Sequence, residues 1–142
     1  MLESIIEATK NFCIHQLQLE PSLEECLEIP KEVITTSIEV DTQTDETLTI
    51  YLFAQKDFIQ SIANALLFEE ESDEETLVDM ALESTNLIVG NAKVVASQNG
   101  LHFTIKTPKL STDIPSIEQL TSLQKIRCNT TSLIVALKKG NV

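Results

Sequence analysis

The feature that most constrains this sequence is a stretch of about 26 residues between Ser72 and Gly100 with apolar side chains at helical spacing. Ser72 followed by Glu75 is a capping-box pattern, and Asn99-Gly100 is typical of a helix end. At 100° per residue the apolar side chains share one side of the helix: Leu77, Val78, Ala81, Ile88, Val89, Ala92, Val95 and Ala96, with Thr85 among them. The sequence therefore predicts an amphipathic helix that is long for a globular protein.

The remaining segments predict two more helices and several strands. The helices are expected over residues 2–18, which Pro21 ends, and over 57–68, with Asp57 as N-cap. A loop is expected after Pro21, and residues 110–122 are expected to be irregular. β-branched or alternating residues predict strands at 33–40, 47–54, 101–107 and 124–139, the first two forming a hairpin. This order predicts one α+β domain over residues 1–142, with long helices packed on one face of a mainly antiparallel sheet.

The composition excludes several classes of function. The formal net charge of −12 repels nucleic acid and anionic membrane surfaces, so neither is an expected partner. No signal peptide and no apolar run of about 18 residues is present, so a cytoplasmic protein is expected. The three cysteines form no C-x-x-C pattern, and no histidine is placed at a spacing that suggests a zinc site, so we expect reduced thiols and no metal site.

A polar stripe occupies the opposite side of the long helix. It consists of Glu75, Asp79, Glu83, Asn86, Gly90, Lys93 and Ser97, and three of its members lie within roughly 60° of arc. Such a stripe is usually the solvated face of an amphipathic helix. Two members are unusual, since Asn86 is a poor residue for a helix interior and Gly90 costs about 1 kcal/mol relative to alanine. Gly90 also leaves space beside Asn86 where the backbone of a partner could approach.

Four residues of the chain have a distinctive spacing, Asp79-x3-Glu83-x2-Asn86-x21-Pro108. In these residues, and in its order of helices and strands from about residue 1 to 139, the chain resembles the CheX/CheC/FliY family of chemotaxis phosphatases. The Glu-x-x-Asn motif occurs once, which resembles CheX, whereas CheC carries it twice. The chain departs from the family at Ser84 and Thr85, where many relatives have an apolar residue followed by a small one.

The resemblance implies a reaction and a set of roles. The substrate would be the phospho-aspartate of a CheY-like response regulator, which supplies its own Mg²⁺, so no cofactor is expected in this chain. The Asn86 amide would hold the attacking water in line with the P–O bond, and Glu83 would pair with the regulator's active-site lysine. Asp79, Gly90, Lys93 and Pro108 would contact the regulator. CheX relatives are dimeric, and pairing of edge strands is a natural route to a homodimer.

Two alternatives remain open on the sequence. The chain could be a non-catalytic module of the same fold that binds a receiver domain or the flagellar switch. It could also be an unrelated acidic α+β domain that matches the spacing by chance. Burial of Glu83 and Asn86, or side chains that point apart, would favour this last alternative.

Overall fold

The fold is a helical layer on a single antiparallel sheet, in a computed structural model that describes residues 1–140. Its three helices are α1 (Leu2–Gln16), α2 (Lys56–Leu67) and α3 (Glu74–Gln98). The strands are β1 (Pro21–Glu24), β2 (Val33–Thr42), β3 (Thr47–Gln55), β4 (Phe103–Ile105), β5 (Lys109–Leu110), β6 (Ser122–Cys128) and β7 (Thr131–Lys139). A short 3₁₀ helix (Ile117–Gln119) precedes β6. No helix of the described part is long and apolar enough to cross a membrane.

The sheet has the strand order β1-β6-β7-β3-β2-β4, and β5 also pairs with β2. Every pairing is antiparallel. The predicted hairpin is confirmed, with β2 and β3 in register from Val33 opposite Gln55 to Asp41 opposite Thr47. The alternation of apolar side chains along β3 makes this register favourable, because a slip by one residue would expose Leu48, Ile50 and Leu52.

All three helices pack on the same face of the sheet, where the main core lies. Both α1 and α2 contact α3, and α3 lies against β2. The core is built from aliphatic residues, with Ile5, Ile38, Ile62 and Val89 almost completely buried. A smaller apolar cluster around Phe53 and two β7 residues lies outside this core. The predicted α+β class is therefore confirmed.

The ends of α3 show one wrong prediction and one correct one. The N-cap is Asp73 rather than Ser72, and its carboxylate accepts a hydrogen bond from the Thr76 backbone N–H at 2.8 Å. Ser72 is instead engaged by α2, since its backbone N–H donates to the Gln60 side chain. At the other end Gly100 has a φ of +81°. The Gly100 and Leu101 N–H groups donate to the Ser97 and Ala96 carbonyls, which closes the helix as a Schellman motif.

Four other local predictions were wrong in whole or in part. The expected loop after Pro21 contains β1, whose hydrogen bonds come from pairing with the distant β6. Asp57 does not cap α2, which begins after Gln55; the Asp57 carboxylate accepts a hydrogen bond from the Thr131 hydroxyl. The segment 124–139 is a hairpin of β6 and β7, with Asn129 in the left-handed conformation (φ 63°) between the strands. The strand expected over 101–107 is only three residues long.

Candidate active site

The exposed side of α3 presents the two residues expected to carry the chemistry. Glu83 and Asn86 are both exposed, and neither is covered by the core of the chain. The side-chain hydrogen bonds of α3 come from other residues of the helix, so within residues 1–140 Glu83 and Asn86 have no side-chain partner. Because the helix is continuous from Glu74 to Gln98, both side chains leave a rigid support one turn apart.

The other expected partner-binding residues lie on or beside this helix. Asp79 and Lys93 are exposed on the polar stripe, one before and one after the central pair. Apart from its two neighbours and the local backbone of α3, a Cβ added at Gly90 would have no atom within 4 Å, so the surface beside Asn86 is open at that point. Pro108 is half-buried between β4 and β5, and both of these strands contact α3.

Two hydroxyl groups on the buried side anchor the same turn of α3. The Ser84 hydroxyl donates to the Met80 carbonyl at 2.6 Å, and the Thr85 hydroxyl donates to the Ala81 carbonyl at 2.8 Å. The Thr85 oxygen also lies 2.5 Å from the Thr36 oxygen on β2. A hydroxyl has only one proton, and Thr85 uses its proton on Ala81, so Thr36 donates to Thr85. The helix beneath Asn86 is thereby hydrogen-bonded to the centre of the sheet.

Sequence reasoning did not find Thr36 or the apolar residues beside the stripe. Thr36 is 49 positions from Thr85, and no local pattern connects them. Leu87 and Val94 are exposed apolar side chains, 43% and 54% accessible, one turn after Glu83 and Gly90 respectively. The exposure of Leu87 and Val94 could have been predicted from the sequence, because both residues fall outside the apolar stripe of α3. A groove of about 420 Å³ between α1 and α3 also reaches Leu87.

The arrangement suits recognition of another molecule's polar groups. A carboxylate can accept hydrogen bonds from a cation, and an amide can donate and accept at the same time. Among residues 1–140 no group of three or more His, Cys, Asp or Glu side chains is placed to hold a metal ion. The chemistry that the Glu83 and Asn86 side chains themselves offer is therefore positioning and hydrogen bonding.

Solved structures with the same fold include several chemotaxis proteins. Chemotaxis protein CheX from Vibrio vulnificus matches with a TM-score of 0.81 and 16% identity, covering 98% of this chain and 95% of that one. CheX from Desulfovibrio desulfuricans matches with a TM-score of 0.75 and 17% identity, covering 97% of each chain. A CheX-CheY-BeF3-Mg²⁺ complex from Borrelia burgdorferi matches with a TM-score of 0.64 and 15% identity, covering 99% and 97%.

The family assignment rests on a match of the sequence to a family model, because the structural matches above are too distant in sequence to give more than the fold. The curated proteins contain no significant match to this chain. The family described as "Chemotaxis phosphatase CheX" matches residues 26–130, well over half of the chain. This range contains α2, α3 and the complete spacing from Asp79 to Pro108. The chain therefore belongs to the CheX family of chemotaxis phosphatases.

Proposed function

We propose that this chain hydrolyses the phospho-aspartate of a CheY-like response regulator, with Asn86 and Glu83 as the residues that enter the regulator's phosphorylation site. One observation carries the assignment of the residues: an exposed carboxylate and an exposed amide, one turn apart, project from the middle of a long helix and have no side-chain partner among residues 1–140. The family and the fold shared with a CheX-CheY complex support the choice of substrate.

Asn86 acts on the attacking water. Phosphoryl transfer proceeds through a loose transition state, so catalysis consists mainly of positioning and electrostatic stabilisation. The regulator contributes the phosphoryl group and Mg²⁺, and the missing element is a water held in line with the P–O bond. The Asn86 carbonyl accepts a hydrogen bond from this water, and the amide N–H₂ remains available to a phosphoryl oxygen. The rigid helix limits the freedom of both groups before the reaction begins.

Glu83 holds the helix against the regulator. Its carboxylate pairs with the lysine of the regulator's active site, a charge-assisted interaction worth about 1.5–3 kcal/mol. Asp79 supports docking from the preceding turn, and Gly90 lets the regulator's backbone approach Asn86. Lys93 and Pro108 contact the regulator at the periphery of the site.

The apolar residues next to the polar stripe extend the contact surface. Leu87 and Val94 are exposed beside Glu83 and Gly90, so a regulator docked over Asn86 would cover them. Burial of apolar surface contributes about 25 cal/mol per Å², which adds affinity that does not depend on charge. Binding is therefore expected to keep a component that is insensitive to salt, in addition to the salt-sensitive contact of Glu83.

The experiment is a phosphatase assay on a phosphorylated receiver domain with Mg²⁺ present. We expect the parent chain to accelerate loss of phosphate, and Asn86→Ala to reduce kcat by about 100-fold or more, because the water is no longer oriented. Gln98→Ala is the matched control, since Gln98 is an exposed amide on the same helix but outside the polar stripe. Circular dichroism checks that both variants retain the helix content of the parent.

The outcomes distinguish the proposal from its alternatives. Unchanged kcat in Asn86→Ala would show that Asn86 does not act on water. Saturable binding of the phosphorylated regulator by the parent, without any faster loss of phosphate, would instead identify a non-catalytic receiver-binding module. Glu83→Gln is expected to raise the Kd for the regulator by roughly 10- to 150-fold, with Glu70→Gln in the exposed acidic segment as control.

We also propose that the chain forms one domain over residues 1–142, acts in the cytoplasm and associates as a homodimer. The sheet edges available for pairing are β1 at one end and β4 with β5 at the other, and all three strands are short. Light scattering is expected to give about twice the 15.8 kDa mass of the chain. A mass of one chain at micromolar concentration would argue against the dimer.

A further inference from the structure

Two buried cysteines meet between α1 and β6. Cys13 lies in α1 and Cys128 ends β6, and neither is accessible to solvent. Their sulfur atoms are 2.6 Å apart, which is only about 0.6 Å more than a disulfide bond. The residues are 115 positions apart in sequence, so nothing in the cysteine spacing indicated this contact.

The third cysteine has a different environment. Cys26 is half-buried and packs in the smaller apolar cluster around Phe53. Its thiol donates to the Glu28 carbonyl at 3.5 Å. Cys26 therefore takes no part in the contact between the other two cysteines.

We infer that Cys13 and Cys128 are an oxidation site, at which hydrogen peroxide converts the two thiols into a disulfide that joins α1 to β6. The contact of the two sulfurs carries the inference, because the bond forms with little movement of either element. The inference does not rest on the proposed phosphatase function. Its structural effect is to lock α1, which packs along α3, onto the sheet.

The reaction balances with one peroxide and two thiols. The Cys128 thiolate attacks a peroxide oxygen, the O–O bond breaks, and the departing hydroxide takes up a proton to become water. The Cys13 sulfur then attacks the sulfur of the Cys128 sulfenic acid. The S–O bond breaks, and the oxygen leaves as a second water with the proton of the Cys13 thiol. Two electrons pass from the cysteines to the peroxide.

The contact also makes the two sulfurs unequal. The hydrogen bond between the two sulfurs lowers the pKa of Cys128. The same bond, together with burial, raises the pKa of Cys13 above its ordinary value. Because the thiolate is the reactive form of cysteine, we assign the attack on peroxide to Cys128. Because both sulfurs are enclosed, peroxide can reach them only when α1 separates transiently from the sheet. We therefore expect the oxidation to be slow.

The test uses the full chain carrying Cys26→Ser, which leaves the two buried cysteines as the only thiols. The reduced protein is treated with hydrogen peroxide, unfolded, and exposed to an alkylating reagent. Intact mass measurement is expected to show no alkylation after oxidation and two alkylations after dithiothreitol. Peptide mapping without reductant is expected to join the peptides that contain Cys13 and Cys128. The oxidised form should also melt at least about 5 °C higher than the reduced form, reversibly.

Any result other than a disulfide between Cys13 and Cys128 of the same chain would contradict the inference. Two alkylations after peroxide treatment, or a disulfide between two chains, would show that the sulfurs do not bond to each other within the fold. Sulfinic or sulfonic adducts without a cross-linked peptide would do the same. Cys128→Ser with Cys26 retained is the second variant. If peroxide still produced a disulfide within this chain, Cys13 would pair with Cys26, and the assignment would be overturned.

Discussion

A chain of two threonine hydroxyls beneath Asn86 links α3 to the sheet. Thr36 on β2 donates to Thr85 on α3, and Thr85 donates to the Ala81 carbonyl. Both threonines are almost fully buried, at 1% and 0% accessibility. Replacing Thr85 by valine retains the shape of the side chain and removes the acceptor, so the Thr36 hydroxyl is left buried without its partner.

Removing one of the two hydroxyls is expected to cost more stability than removing both. A buried donor that loses its partner costs about 1–3 kcal/mol, and this is the expected loss in the free energy of unfolding for Thr85→Val. Removing both hydroxyls in Thr36→Val/Thr85→Val leaves no buried donor unsatisfied, so the double variant is expected to lie within about 1 kcal/mol of the parent. The double-mutant cycle should therefore give a coupling of about 1–2 kcal/mol between the two positions.

The assay is urea unfolding followed by circular dichroism, with the slope m compared among all variants. Thr35→Val is the matched control at the neighbouring position of β2. The Thr35 hydroxyl is buried and has no hydrogen-bond partner within residues 1–140, so its removal is expected to raise stability by about 1 kcal/mol. Thr35→Val and Thr85→Val are therefore predicted to change the free energy of unfolding in opposite directions.

Either of two results would contradict this role of the hydrogen bond between Thr36 and Thr85. If Thr85→Val and the double variant lost equal stability, the Thr36 hydroxyl would not depend on Thr85. If Thr35→Val destabilised the chain as much as Thr85→Val, the loss would reflect a general intolerance of valine on β2 and α3 rather than a hydrogen bond.

The remaining predictions concern the surface of α3 and its first turn. Gly90→Ala is expected to stabilise the chain by about 1 kcal/mol in urea unfolding, since the added methyl meets no atom, and yet to lower phosphatase activity by obstructing the regulator. Equal activity with higher stability would remove Gly90 from the docking surface. The hydrogen bonds from the Thr76 side chain and backbone lower the pKa of Asp73 from its ordinary value of 3.8. A carboxyl whose pKa is lowered in the folded chain stabilises the fold at pH values above its ordinary pKa, and this stabilisation is lost as the pH falls through the folded pKa. Asp73→Asn should therefore weaken the dependence of the melting temperature on pH below about 4. An unchanged acid profile would contradict that role.

Local sequence pattern determined the elements whose hydrogen bonds and apolar sides are local. The length of α3, its polar stripe and its end at Gly100 all follow from helical spacing and from the conformational freedom of glycine, and the structure has all three. The hairpin of β2 and β3 follows from alternation around a polar turn. The exposure of Glu83 and Asn86 was predictable for the same reason, because both lie opposite the apolar stripe of one helix.

Contacts between distant segments decided the rest. β1 forms because β6 lies beside it and provides its hydrogen bonds. Asp73 rather than Ser72 caps α3, and the Ser72 backbone N–H instead donates to Gln60 of α2. The pairs Thr36–Thr85 and Cys13–Cys128 join residues 49 and 115 positions apart. A periodic pattern records which side of a helix or strand is buried, but it does not record which residue of another element will lie against it. Only the packing of the helices on the sheet settles that, because it sets the distances between side chains that the chain itself separates widely.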